Sequence, residues 1–110
     1  MEVRTVSGQV LSEVSGVVGP EKEAQLVTSY RELVAGALPE GLIRTELLRG
    51  PGGRWRVQSL WRDKATLEAV RADPKLAAAP RLFREVGVEP ELTVFQLTAA
   101  QVGAPDLDPD

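Results

Sequence analysis

One stretch narrows the choice of fold more than any other: "LIRTELLRGPGGRWRVQSLWRD", residues 42 to 63. Two β-rich runs, 42–49 and 54–62, stand on either side of "GPGG". Glycine accepts the positive φ of a tight reversal, and proline presets φ for a turn. The stretch therefore reads as an antiparallel hairpin. Asp63 follows the second arm directly, where a short carboxylate suits a helix N-cap. Along that arm, alternation puts Trp55, Val57, Ser59 and Trp61 on one face. Arg54, Arg56, Gln58, Leu60 and Arg62 fall on the other. The tryptophan face is the more apolar and is expected to meet helices. On the opposite face, Arg44, Glu46, Arg56 and Gln58 are expected to form cross-strand charged pairs, at a surface that could line a dimer interface.

The flanking segments supply the remaining elements. "SGQVLSEVSGVV" alternates Val10, Ser12 and Val14 with Leu11 and Glu13, as a strand does. "GP" at 19–20 ends it, and Pro20 suits a helix's first turn. Glu21 and Glu23 sit where the helix dipole favours anions. Leu26, Val27, Tyr30, Leu33, Val34 and Ala37 then recur at spacings of three and four, one stripe of an amphipathic helix. After the hairpin, Leu67 and Val70 mark the buried side of a short helix that "DP" at 73–74 interrupts. "KLAAAPRLFREVG" gives a third helical piece, with Pro80 opening a turn, Leu82, Phe83 and Val86 inward, and Gly87 as C-terminal cap. "PELTVFQLTA" reads as the last strand. The order β-α-β-β-α(α)-β predicts an α+β, ferredoxin-like fold with a four-stranded antiparallel sheet. Residues 1–100 are expected to form one domain, and 101–110, "QVGAPDLDPD", an acidic flexible tail.

Composition removes much familiar chemistry. Among 110 residues there is no cysteine, no histidine and no asparagine. Thiolate nucleophiles, thiolate metal sites and histidine-based triads are excluded. The carboxylates are spread over different elements without metal-ligand spacing. Any enzyme built on this chain must work with carboxylate, tyrosine, lysine, arginine, backbone groups or the reactivity of its substrate. The formal charge is −3, and Asp106, Asp108 and Asp110 account for that excess, so the body is close to neutral. A neutral body is a poor footprint for nucleic acid. "RGPGGR" does not read as a phosphate loop either, because a strand follows it where a helix N-terminus would be needed. No apolar run is long enough to span a membrane and no signal-peptide core is visible, so the expected setting is the cytoplasm.

The chain resembles the antibiotic biosynthesis monooxygenase domain family over roughly residues 9 to 99. "GPEKEAQLVTSYRELV" is similar to the family's glycine-led first helix, with glutamate and lysine near its start. "PEGLIRTELLRGPGGRWRVQSLWRDKATLEAVRADP" follows the family's order of second strand, third strand ending in tryptophan, and polar helix start. Trp61, Asp63, Leu67, Glu68, Ala69, Asp73 and Pro74 stand where that pattern has similar residues. The resemblance implies a dimeric α+β barrel, hence a homodimer, with a pocket between sheet and helices in each protomer. In the family it implies, some members oxidise polycyclic aromatic phenols or quinols with molecular oxygen, using no metal or flavin, others degrade haem, and many have no demonstrated activity. The haem-degrading branch uses asparagine, tryptophan and histidine. The tryptophan position falls near Val70 and the histidine position near Pro80, and the chain has no histidine or asparagine at all. The histidine of the family's "s-P-H" step is Lys75 here, and that of "aLeaHr" is Val70.

Candidate site residues follow from the tryptophan face. Tyr30, Trp55, Ser59 and Trp61 are the expected substrate-binding set: flat surfaces for an aromatic ligand and hydroxyls to orient it. The same residues would also serve as ordinary core. Tyr30, Arg56 and Glu46 are the candidate catalytic groups, for proton transfer and for holding a substrate anion. The expected activity is a monooxygenase acting on an aromatic or quinol-type molecule with no cofactor. The alternative is a non-catalytic binding or structural protein that keeps the barrel, and a weaker third possibility is an isomerase or decarboxylase of the same fold.

Overall fold

A computed structural model of the chain describes residues 2–4 and 8–103. In chain order the elements are β1 (Glu2–Arg4), β2 (Val10–Val17), α1 (Glu23–Ala35), β3 (Leu42–Arg49), β4 (Arg54–Trp61), α2 (Lys64–Ala72), α3 (Ala78–Glu85), β5 (Glu91–Gln96) and β6 (Ala100–Val102). Four strands form one antiparallel sheet in the order β3-β4-β2-β5. This is the ferredoxin-like α+β arrangement expected from the sequence, with the helices on one face.

The hairpin reverses through Pro51–Gly53. Gly52 and Gly53 take φ of 69° and 77°. Gly53 is also held by space: a β-carbon there would lie 2.9 Å from the Val18 carbonyl oxygen. Asp63 caps α2 by accepting a 2.7 Å hydrogen bond from the Thr66 amide. Gly87, at φ 79°, ends α3, with the Val88 amide bonded back to the Phe83 carbonyl at 2.9 Å.

The helix-facing side of the sheet forms regular cross-strand rows. One row is Leu42, Trp61, Val10 and Gln96. The next is Thr45, Ser59, Ser12 and Val94, and the third is Leu47, Val57, Val14 and Leu92. A register shift between Leu42 and Arg44 makes Ile43 the extra residue of a bulge. The buried core divides along these rows. Val14, Val57 and Trp55 pack with Leu26, Leu82, Phe83 and Val86. Val10 and Trp61 pack with Leu67 and Val70 in a separate cluster. The hydroxyl row lies between the two clusters.

The other face is polar as expected, but its pairs are not all across the hairpin: Gln58 of β4 donates to Glu46 of β3 at 3.1 Å, Arg56 pairs with Glu13 of β2 at 2.9 Å, and Arg44 pairs with Glu46 at 3.5 Å within β3. Leu60, on the same face, is buried as well. β1, which the sequence reading does not contain, pairs with β6 as a separate two-stranded unit. Three residues are too few to show an alternation. Gln101 and Val102 belong to β6, whereas residues 104–110 of the proposed tail lie outside the described residues. Among the described residues no helix is long and apolar enough to cross a membrane.

Candidate functional site

A cavity of about 140 Å³ lies between the hydroxyl row and the helical layer. Its floor is the row Thr45, Ser59, Ser12 and Val94, with Val57 and Trp61 beside it. One wall is the apolar stripe of α1, where Tyr30, Leu33 and Val34 point inward. The opposite wall is Leu67 and Val70 of α2 and the segment Lys75–Pro80 that leads into α3.

The floor is hydrogen-bonded within itself. Ser59 donates to Thr45 Oγ1 at 3.1 Å, and the Tyr30 hydroxyl reaches the same oxygen at 3.4 Å. The Trp61 indole N–H donates to Ser12 Oγ at 2.9 Å. Every buried side-chain polar atom among the described residues has a partner. A strip of hydroxyls thus crosses three strands under an otherwise apolar chamber. Such a strip can give or accept hydrogen bonds at several points along a flat ligand.

Of the residues expected from sequence to bind substrate, the structure brings Tyr30, Ser59 and Trp61 together around this cavity. Trp55 lies two rows away in the other core cluster. Its indole N–H donates to Glu23 Oε2 at 2.7 Å, and Arg49 binds the same carboxylate at 2.9 Å while lying 5.9 Å from the indole centroid. The Glu23 carboxyl is held below its ordinary range, first by the Arg49 hydrogen bond and then by that of Trp55. Glu23 thus holds the hairpin to α1 rather than only meeting the helix dipole. Of the candidate catalytic groups, Tyr30 lines the cavity, whereas Arg56 and Glu46 engage their polar partners on the far face of the sheet.

Among the lining residues that go beyond the sequence reading are Ser12, Thr45, Arg71 and Lys75. Lys75 had a signal, since it stands at the histidine position of the family's proline step. Ser12 and Thr45 become neighbours of Ser59 only through strand register. Among the described residues no three acidic, histidine or cysteine side chains converge as a metal centre requires.

No protein-family model matches the chain, and no curated protein matches it. Solved structures do. A variant of SnoaB, a cofactor-independent oxygenase from Streptomyces nogalater, is 18% identical, with a TM-score of 0.67 over 91% of this chain and 100% of that one. A candidate antibiotic biosynthesis monooxygenase from Caulobacter crescentus is 18% identical, with a TM-score of 0.68 over 86% of this chain and 93% of that one. NE2512, a protein of unknown function from Nitrosomonas europaea, is 19% identical, with a TM-score of 0.69 over 90% and 98% of the two chains. The resemblance read from the sequence thus holds at the level of fold: this chain has the ferredoxin-like α+β fold of solved structures that include SnoaB and candidate antibiotic biosynthesis monooxygenases.

Proposed function

We propose that the chain binds a small phenol or quinol in the cavity over Thr45, Ser59 and Ser12 and oxidises it with molecular oxygen, without a cofactor. The observation that carries this reading is the divided core. A domain under selection for packing alone gains by joining its two apolar clusters, yet here a polar strip and an open chamber separate them. The volume limits the ligand. A cavity of about 150 Å³ encloses one benzene ring, so this one holds a single ring or the end of a larger system.

In the proposed reaction the bound ring system loses a proton and becomes electron-rich. It passes one electron to O2, and the two radicals join through a carbon–oxygen bond. Loss of water then leaves a carbonyl, so the substrate has exchanged two hydrogens, one from the attacked ring carbon and one from its hydroxyl, for one oxygen atom, and the second oxygen departs as water. The chain's share is to exclude water and stabilise the anion by hydrogen bonds from the Ser59–Thr45 pair. Tyr30, hydrogen-bonded to Thr45, relays the proton. Oxygen uptake with single-ring hydroquinones, naphthols and anthrones, compared with anaerobic incubation, tests the enzyme. Absence of oxygen-dependent turnover across the panel refutes it.

One observation favours a second reading, a binding protein without turnover. Among the described residues the only carboxylate residue bordering the cavity is Glu13, and its side chain is taken by Arg56. Saturable binding of the same phenols with no oxygen uptake would select it.

The homodimer belongs to this proposal too. β5 is an edge strand exposed along its whole length, with Leu92, Val94 and Phe95 uncovered. Exposed apolar edges invite pairing with another chain. Light scattering is expected to give twice the 11.9 kDa chain mass, and a stable monomer contradicts it.

A further inference from the structure

The charged groups at the cavity point to the kind of ligand it takes. Arg71, on the last turn of α2, and Lys75, in the α2–α3 link, both line it. Neither has a carboxylate partner among the described residues. Of the hairpin's arginines, Arg44, Arg49, Arg56 and Arg62 each have one, and Arg54, which does not border the cavity, has none among the described residues. A last-turn cation complements the helix dipole, which gives Arg71 a structural reason. The same reason does not extend to Lys75, which lies beyond the helix. Among the described residues the one acidic residue at the cavity, Glu13, has its carboxylate on the far face of the sheet, paired with Arg56 at 2.9 Å. The chamber is therefore apolar inside, hydroxylated on its floor and singly signed at its polar wall.

From this we infer that the site selects an anionic aromatic. The phenolic ring lies on the Thr45–Ser59–Ser12 strip, and a carboxylate carried by the ring or by a short side chain rests against Arg71 and Lys75. The inference rests on the cavity reading above and adds the ligand's charge to it. Both cations are exposed, so each exposed pair contributes a few-fold at most and is screened by salt.

The test compares 4-hydroxyphenylacetate with its neutral isostere 4-hydroxyphenylacetamide, titrated calorimetrically at low salt. The acid is expected to bind about 5- to 20-fold more tightly, and the ratio should shrink in 0.5 M salt. In the double variant Arg71→Gln/Lys75→Gln the ratio should fall to near one. Both substitutions are on the surface, and a thermal melt checks that the variant is folded. Equal binding of acid and amide overturns the anion selectivity while leaving the cavity reading in place. An acid preference that survives the double variant also overturns it, because the anion then sits elsewhere. Failure of both compounds to bind overturns the cavity reading itself.

Discussion

Replacing Thr45 by valine removes a hydroxyl at nearly constant shape, and the structure sets what that removal costs. Thr45 Oγ1 is the acceptor for Ser59 at 3.1 Å and for Tyr30 at 3.4 Å. The second bond is near the length limit and contributes little. Ser59 is 7% exposed, so its hydroxyl is left buried without its partner. An orphaned buried polar group costs about 1–3 kcal/mol. Near the melting point that is a loss of roughly 5–15 °C for a domain of this size. Ser59→Ala in the Thr45→Val background removes the orphan. When both partners become apolar the net change is small, so the double variant should return to within about 1 kcal/mol of wild type. Urea and thermal unfolding of the four proteins give the coupling energy directly. The double variant should meanwhile bind phenol more weakly, since only the Ser12 hydroxyl of the floor remains to donate. If the two substitutions add, or the double variant is less stable than Thr45→Val alone, the hydroxyls are not bonded to each other and the account of the floor is wrong.

Two further outcomes test how the site is held. The folded-state pKa of Glu23 lies below its ordinary value of 4.5. Its contribution to stability is therefore fully present above that value and is lost as pH falls through the folded pKa. Glu23→Gln should flatten the acid side of the stability profile, and an unchanged acid slope in melts from neutral pH downward contradicts the role given to Arg49 and Trp55. Gly16→Ala places a β-carbon 2.6 Å from Val88 Cγ1 and 3.4 Å from Phe83 Cδ1. It should cost about 1–3 kcal/mol by overpacking, with Val88→Ala restoring part of the loss. A Gly16→Ala protein as stable as wild type in urea would show that this contact is soft.

The fold was legible because its signals are local. "GPGG", Asp63 and Gly87 mark turn, cap and helix end through backbone chemistry that acts within a few residues, and each does so in the structure. Alternation correctly put the two tryptophans on the helix side. It could not separate them, because one face of one strand spans two core clusters, and Trp55 and Trp61 lie in different ones. The floor was half legible for the same reason. Ser59 is visible on its own strand, but Thr45 and Ser12 join it only through pairing between strands. The hairpin half of that pairing was within reach. Gly50 N–H closes on the Arg54 carbonyl at 2.7 Å, which sets Arg49 opposite Trp55 and so Thr45 opposite Ser59. Pairing of β2 with β4 crosses a helix and a strand, and no short motif encodes it. Arg71 and Lys75 are exposed cations whose meaning depends on the wall they border.

The central claim is that the cavity beside Trp61, and not the surface near Trp55, receives a phenolic ring. The two indole N–H groups are separate reporters, one bonded to Ser12 and the other to Glu23. Titration of the isotopically labelled protein with 4-methylphenol, followed by two-dimensional nitrogen–proton NMR, reads both at once. The expected result is a saturable shift of the Trp61 indole signal, together with the amides of Ser12, Thr45 and Ser59, while the Trp55 indole stays in place. A Trp55 shift with Trp61 unmoved, or no shift at either indole at high phenol, contradicts the account.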